Sequence, residues 1–199
     1  MQMVKDAPSA ESILAAGFRM HAEVIASCLP ALSAPFAAAA ALCEASLRAG
    51  GKIVLFGNGG SAADAQHIAT ELTIRFTVDR PALAALALTT DTSALTACAN
   101  DLGFDRIFAR QVEALVREND AVIGISTSGR SRNVLAGLSE ARAKGAKTIG
   151  LTGGNGGDMA NICDAVLCAP TAVTARIQEV HILLGHMLCE TLERRVAGV

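Results

Sequence analysis

The 199-residue chain contains no tryptophan and no tyrosine. A platform for stacking nucleic-acid bases would have to rest on its six phenylalanines. It also has no basic run: 17 Lys and Arg stand against 19 Asp and Glu, for a net charge of −2. Binding along a phosphate backbone needs a clustered positive surface, so no nucleic-acid partner is expected. None of the six cysteines (Cys28, Cys43, Cys98, Cys163, Cys168, Cys189) forms a C-x-x-C pair. Cys163 and Cys168 flank a predicted strand, and the expectation is reduced, mostly buried thiols. No window holds the roughly 18 uninterrupted apolar residues of a membrane span. The start, MQMVKDAPSAES, lacks a basic segment leading into a long apolar core, so no signal peptide and a cytoplasmic location are expected. No Gly-Lys-Ser/Thr occurs, which excludes a P-loop.

What is present is apolar: 51% of the residues are hydrophobic and 18% charged. That mass has to be buried in one fold or between subunits, and the length fits one domain, 1–199. Residues 1–50 read as two helices used in oligomer packing, broken at Leu29-Pro30, with Ser33 capping the second and Gly50-Gly51 stopping it. From 51 to 199 short apolar runs alternate with helical patterns. The runs are Ile53–Phe56, Leu83–Leu88, Ala121–Ile125, Thr148–Leu151 and Ala165–Cys168. Helices are predicted near 61–75, 93–117, 131–144, 156–162 and 174–196. Continuously apolar strands separated by helices predict an α/β fold, a five-stranded parallel sheet with helices on both faces. In such sheets ligands bind at the carboxyl ends of the strands.

Two loops fall there. The first strand gives way to Gly57-Asn58-Gly59-Gly60-Ser61, where glycines permit a tight turn and Ser61 is positioned to cap the next helix. Residues 57–62 match the dinucleotide pattern G-x-G-x-x-A, but no acid stands at the end of the second strand to complete it. The third strand ends in Ser126-Thr127-Ser128-Gly129-Arg130-Ser131, four hydroxyls in six residues before a helix. Hydroxyls and backbone amides together can ring a phosphate without a lysine. The turn Thr152-Gly153-Gly154-Asn155-Gly156-Gly157 is glycine-rich but poor in hydroxyls, and reads as a wide turn.

Chemistry-bearing side chains lie on two helices. His67 and Glu71 are four apart and share a face. The final helix carries Gln178, His181 and His186 in an apolar setting, where polar side chains need partners. Gln178 and His186 are separated by about 12 Å along the axis, so both reach one ion only by leaning towards it or through a neighbouring subunit. His181 competes with His186, or is a satisfied core histidine. Spacing alone leaves a shared His/Glu/Gln/His site and a set of ordinary polar contacts equally open.

The stretches GNGGSAADAQHIATEL, RFTVDRP, LTTDTSALTACANDLGFD, GISTSGRS and RIQEVHILLGH, spread over nearly the whole chain, resemble the sugar isomerase (SIS) domain family. Within it the resemblance is to the phosphoheptose isomerases, also called sedoheptulose 7-phosphate isomerases. The resemblance implies a flavodoxin-like SIS sandwich and interconversion of sedoheptulose 7-phosphate and glycero-manno-heptose 7-phosphate. That reaction opens nucleotide-activated (ADP-)heptose synthesis for lipopolysaccharide core or capsule. It implies a homotetramer with active sites at subunit contacts and one zinc per subunit, on His67, Glu71, Gln178 and His186. Ser126, Thr127, Ser128 and Ser131 would hold the phosphate. Asn58, Gly59, Gly60, Ser61, Asn100 and Asp101, with Glu71 and Gln178, would line the sugar site. Arg75 and Asp64 would support them.

Moving a proton between C1 and C2 through an enediol needs a base, an acid and a stabilised oxyanion. Glu71 is the expected base and His186 the expected acid. Some family members carry an aspartate where this chain has Ala175. An adaptor family with the same fold, binding the bacterial replication initiator protein, shares the glycine loop and the Ala-Arg-Ile-Gln-Glu run. Glu71 and His186 favour the enzyme over that adaptor. A sugar-phosphate-sensing module without turnover is the third reading.

Overall fold

In the computed structural model the structure describes residues 7–198. The opening MQMVKD, where the absence of a signal peptide is read, and Val199 lie outside the described residues. The five strands are β1 (Ile53–Gly57), β2 (Ala85–Ala87), β3 (Ala121–Ile125), β4 (Lys147–Gly153) and β5 (Ala165–Ala169). All pair in parallel, in the order β2-β1-β3-β4-β5. Among the described residues six α-helices surround them: α1 (Ala10–Arg48), α2 (Gly60–Thr73), α3 (Thr92–Leu102), α4 (Ile107–Leu115), α5 (Arg132–Ala143) and α6 (Thr174–Val196).

Alternate residues of each strand feed opposite faces. Ile53, Leu55, Ile123 and Ile125 face the core built by α1, α2 and α6. Val54, Phe56 and Val122 face the core built by α3, α4 and α5. Phe56 stacks on Phe108 across the second core at 4.9 Å. Both sheet faces are therefore covered, which is why the strands read as unbroken apolar runs.

Three sequence expectations are corrected. The expected pair of N-terminal helices is one helix of 39 residues, with Pro30 and Pro35 inside it. Each proline forfeits a backbone hydrogen bond. The helix continues because Cys28, Leu32, Ala39, Ala40 and Cys43 are buried in the first core, and that packing outweighs the local penalty. Ser33 is accordingly no cap; its hydroxyl donates to the carbonyl of Leu29 within the helix. The cap is Ser9, whose hydroxyl accepts from the amide of Ser12. The predicted helix 93–117 divides into α3, a 3-10 turn at Phe104–Arg106, and α4, because Gly103 takes φ +91°. The segment predicted as a helix near 156–162 is a 3-10 turn, Gly157–Asn161.

By length and composition alone, α1 is long and apolar enough to cross a membrane. Its small-residue face packs on the sheet, while Ile13, Leu14, Phe18 and Leu29 are exposed. All six cysteines are free. Burial, the largest cause, pushes the thiols of Cys43, Cys163 and Cys189 up to about 12, so these three are poor nucleophiles.

One buried ion pair ties α6 to the segment after α2. Arg80 Nε donates to Glu193 Oε1 at 2.9 Å, with both side chains essentially inaccessible. Glu193 also accepts from the amides of Phe76 (2.8 Å) and Thr77 (3.1 Å) and from the Thr77 hydroxyl (2.8 Å). Arg80 in turn donates to the carbonyls of Leu72 (2.9 Å) and Glu71 (2.8 Å), in the last turn of α2.

Candidate active site

The strand order reverses between β1 and β3, the point at which parallel sheets offer a ligand crevice at the carboxyl ends. The glycine loop follows β1 and the hydroxyl loop follows β3. Gly57 has to be glycine: a Cβ would lie 2.8 Å from the carbonyl oxygen of Ile125 and from Ser61 Cβ. The cap of α2 is Gly59, at φ +57°, not Ser61. Ser61 is buried inside the first turn, because the loop needs a positive-φ residue at its end and the helix starts at Gly60, one position before the serine. Asn58 is locked to Asn133 by two hydrogen bonds, each Nδ2 donating to the other's Oδ1 at 2.9 and 2.8 Å, joining the glycine loop to the start of α5. Asn133 is a residue that sequence reasoning missed, since no motif marks it.

In the hydroxyl loop Ser126 and Ser131 share a hydrogen bond of 2.9 Å, and Ser128 Oγ accepts from the amide of Arg130 at 3.2 Å. Ser131 is the N-cap residue of α5, but its hydroxyl does not cap the helix amides. The helix therefore presents its positive end to a ligand. Thr127, Ser128, Arg130, Asn155 and Thr174 line an adjoining cleft of about 270 Å³.

The turn at 152–157 supports that loop. Gly129 takes φ +65°, and a Cβ there would run into the carbonyl oxygen of Gly156. The amides of Asp158 and Met159 donate to the carbonyl of Gly129, at 3.0 and 3.3 Å. Gly129→Ala therefore combines backbone strain with a collision. Titration calorimetry is expected to show affinity for a sugar phosphate reduced at least about tenfold, with a lower melting temperature.

About two turns along α2 lies a second cluster. His67 Nε2 is 2.9 Å from His186 Nε2 and 3.4 Å from Glu71 Oε1. The two imidazoles meet edge to face, at 5.1 Å and 64°. Phe76 stacks on the His186 ring at 5.3 Å and 24°. Asp64 lies one turn before His67, with Oδ2 buried and unpartnered. Burial raises its carboxyl above the usual value, against a smaller lowering by His67. Arg75 is exposed nearby on the chain.

The remaining predicted residues lie elsewhere in the chain. Gln178 packs on the glycine loop, where a Cβ on Gly60 would come within 2.6 Å of its Nε2. It is not part of the His67–Glu71–His186 cluster, in keeping with the eight residues that separate it from His186. Among the described residues no three His, Cys, Asp or Glu side chains are gathered tightly enough to hold a metal ion. Asn100 and Asp101 bond to each other at 2.7 Å at the exposed end of α3. His181 is a core histidine: fully buried, its Nε2 donates to the carbonyl of Thr152 at 3.0 Å, while its Nδ1 has no hydrogen-bond partner. Burial pushes its imidazole below the ordinary range.

The SIS domain model matches residues 18–153. The chain is 57% identical to the phosphoheptose isomerase of Paramagnetospirillum magneticum over 173 residues, covering 87% of this chain and 90% of that one. The chain belongs to the phosphoheptose isomerases of the SIS domain family. A second phosphoheptose isomerase, from Aliarcobacter butzleri, is 51% identical over 90% of this chain and 95% of its own. Among solved structures, the phosphoheptose isomerase of Francisella tularensis superposes with a TM-score of 0.91 at 37% identity, covering 94% of this chain and all of that one. That of Neisseria gonorrhoeae gives 0.87 at 44% identity, covering 93% and 99%.

Proposed function

We propose that this chain interconverts sedoheptulose 7-phosphate and D-glycero-D-manno-heptose 7-phosphate, as an aldose–ketose isomerase of heptose biosynthesis. The observation that carries the reading is the pairing of a hydroxyl loop at the positive end of α5 with a carboxylate and two imidazoles on α2 and α6. The loop binds the phosphate. Glu71 takes the proton from C1 of the ketose and returns it to C2. His186 moves the hydroxyl proton between the two oxygens, so the enediol forms and collapses with no net change of protons. His67 holds the His186 imidazole: with one nitrogen donating and the other accepting, the pair fixes one tautomer on each ring.

Zinc is part of this proposal. Tetrahedral zinc with bonds near 2.0–2.1 Å sets neighbouring donors roughly 3.3 Å apart. The 2.9 and 3.4 Å separations from His67 to His186 and Glu71 are close to that spacing. As they stand, however, His67, Glu71 and His186 are not gathered tightly enough to hold the ion, and Gln178 is engaged at Gly60, so zinc binding would require the cluster to close on the ion or a ligand to come from another subunit. When bound, the ion would polarise the carbonyl and stabilise the enediolate oxygens.

A homotetramer is part of the same proposal. The exposed side chains Ile13, Leu14, Phe18 and Leu29 on α1 form apolar surface of the kind that subunit contacts cover. A second chain could also bring Gln178, Asn100 and Asp101 to the cluster. The deciding experiment is an assay with sedoheptulose 7-phosphate before and after chelation, with light-scattering mass determination on the same sample. Turnover, its loss on chelation, its return with zinc, and a mass four times 20.4 kDa are expected. Tight binding of the replication initiator protein without turnover would point to the adaptor instead.

A further inference from the structure

We propose that Phe76, held in place by the buried pair of Glu193 and Arg80, is a positioning residue for His186. The proposal rests on the assignment of His186 as the proton-transfer group.

Glu193 stands seven residues after His186 on α6, so the two share a helix face about 10 Å apart. Its carboxylate is buried and spends its acceptor capacity on one short stretch of chain: the amides of Phe76 and Thr77, the Thr77 hydroxyl and Arg80 Nε. A loop could be fastened to a helix by apolar contacts alone. A buried carboxylate with four donors fixes the backbone of Phe76 in direction as well as in place. The consequence is visible one residue away. The Phe76 ring lies against His186 with planes 24° apart and covers one face of the imidazole, whose Nε2 faces His67.

Arg80 completes the device from the other side. Its Nη1 donates to the carbonyls of Leu72 and of the neighbouring Pro81, and its Nη2 to that of Glu71; the Leu72 and Glu71 contacts reach α2. Those two carbonyls belong to the helix end that carries His67 and Glu71. One ion pair therefore grips both walls of the cluster, α2 through its carbonyls and α6 through Glu193 itself. The separation of the two imidazoles is set by that grip and by the ring of Phe76.

The test compares Phe76→Leu, which removes the ring and keeps an apolar side chain, with Phe76→Tyr, which keeps the ring. His186→Gln serves as the reference. The chain has four histidines, so the ring protons of His186 can be followed by NMR in histidine-labelled protein and assigned with the His186→Gln variant. In Phe76→Leu the His186 signals are expected to lose the ring-current shift that Phe76 imposes. The same variant is expected to lose about 10- to 100-fold in kcat, with KM for sedoheptulose 7-phosphate within about twofold, because the phosphate grip is elsewhere. Phe76→Tyr should restore both readings. Phe76→Met gives the same comparison if leucine lowers stability too far.

Unmoved His186 signals in Phe76→Leu, unchanged kcat, or a rise in KM alone would overturn the proposal. An inactive His186→Gln beside a fully active Phe76→Leu removes only the positioning role. An active His186→Gln removes the assignment of His186 itself.

Discussion

Glu71→Gln is expected to lower isomerisation of sedoheptulose 7-phosphate by about 10³-fold, the scale of a lost general base. The side chain projects from α2 one turn after His67, with its oxygen 3.4 Å from the imidazole. Glutamine fills the same space and can keep a hydrogen bond to His67, so fold and phosphate binding should survive. What it cannot do is take a proton from carbon. Exchange offers a second reading that turnover does not. In deuterated water the wild-type protein should place solvent deuterium on the carbon that receives the proton, as far as Glu71 exchanges with solvent. The variant should lose that incorporation with its turnover. Wild-type turnover in Glu71→Gln would remove the carboxylate from the mechanism.

Arg80→Met should cost about 3–5 kcal/mol of stability, because it leaves the Glu193 carboxylate buried without its cation. For a chain of this size that corresponds to a melting temperature on the order of 10 °C lower, measured at fixed protomer concentration. The pH dependence follows from the sign of the Glu193 shift. Burial alone would raise its carboxyl, but the amides of Phe76 and Thr77, the Thr77 hydroxyl and Arg80 outweigh burial and hold it below the ordinary 4.5. A carboxyl lowered in the folded state contributes stability that is fully present above its unfolded value and is lost as pH falls through its folded value. Glu193→Gln should therefore differ most from wild type above pH 4.5. The gap should narrow on acidification below that, in urea titrations across the range. A gap independent of pH would mean that packing, not charge, holds the contact.

Much of the architecture was legible because the sheet is buried on both faces. Strands such as Ile53–Gly57 and Ala121–Ile125 have no solvent side, so they appear as unbroken apolar runs. Chain order then dictated parallel pairing. The misreading at Pro30 came from weighing a local penalty without the buried residues on either side of it. At the site, the pairing of His67 and Glu71 was legible from their spacing, and the eight residues between Gln178 and His186 signalled that the two do not readily meet within one chain. Arg80 and Glu193 were not legible. They stand 113 residues apart, in segments whose charges look like solvated surface. Only the three-dimensional path of 74–81 reveals that both are buried. Asn133 hid for the same reason, since its partner Asn58 is 75 residues away.

The carbonyl of Gly129 is held by the amides of Asp158 and Met159, and Gly129 leaves no room between itself and Gly156. The hydroxyl loop and the turn after β4 therefore behave as one inherited part. Transplanting STSGRS into another parallel sheet would fail unless residues 152–159 travelled with it. Insertions in that turn, which supplies none of the four hydroxyls, would register as a change in phosphate affinity.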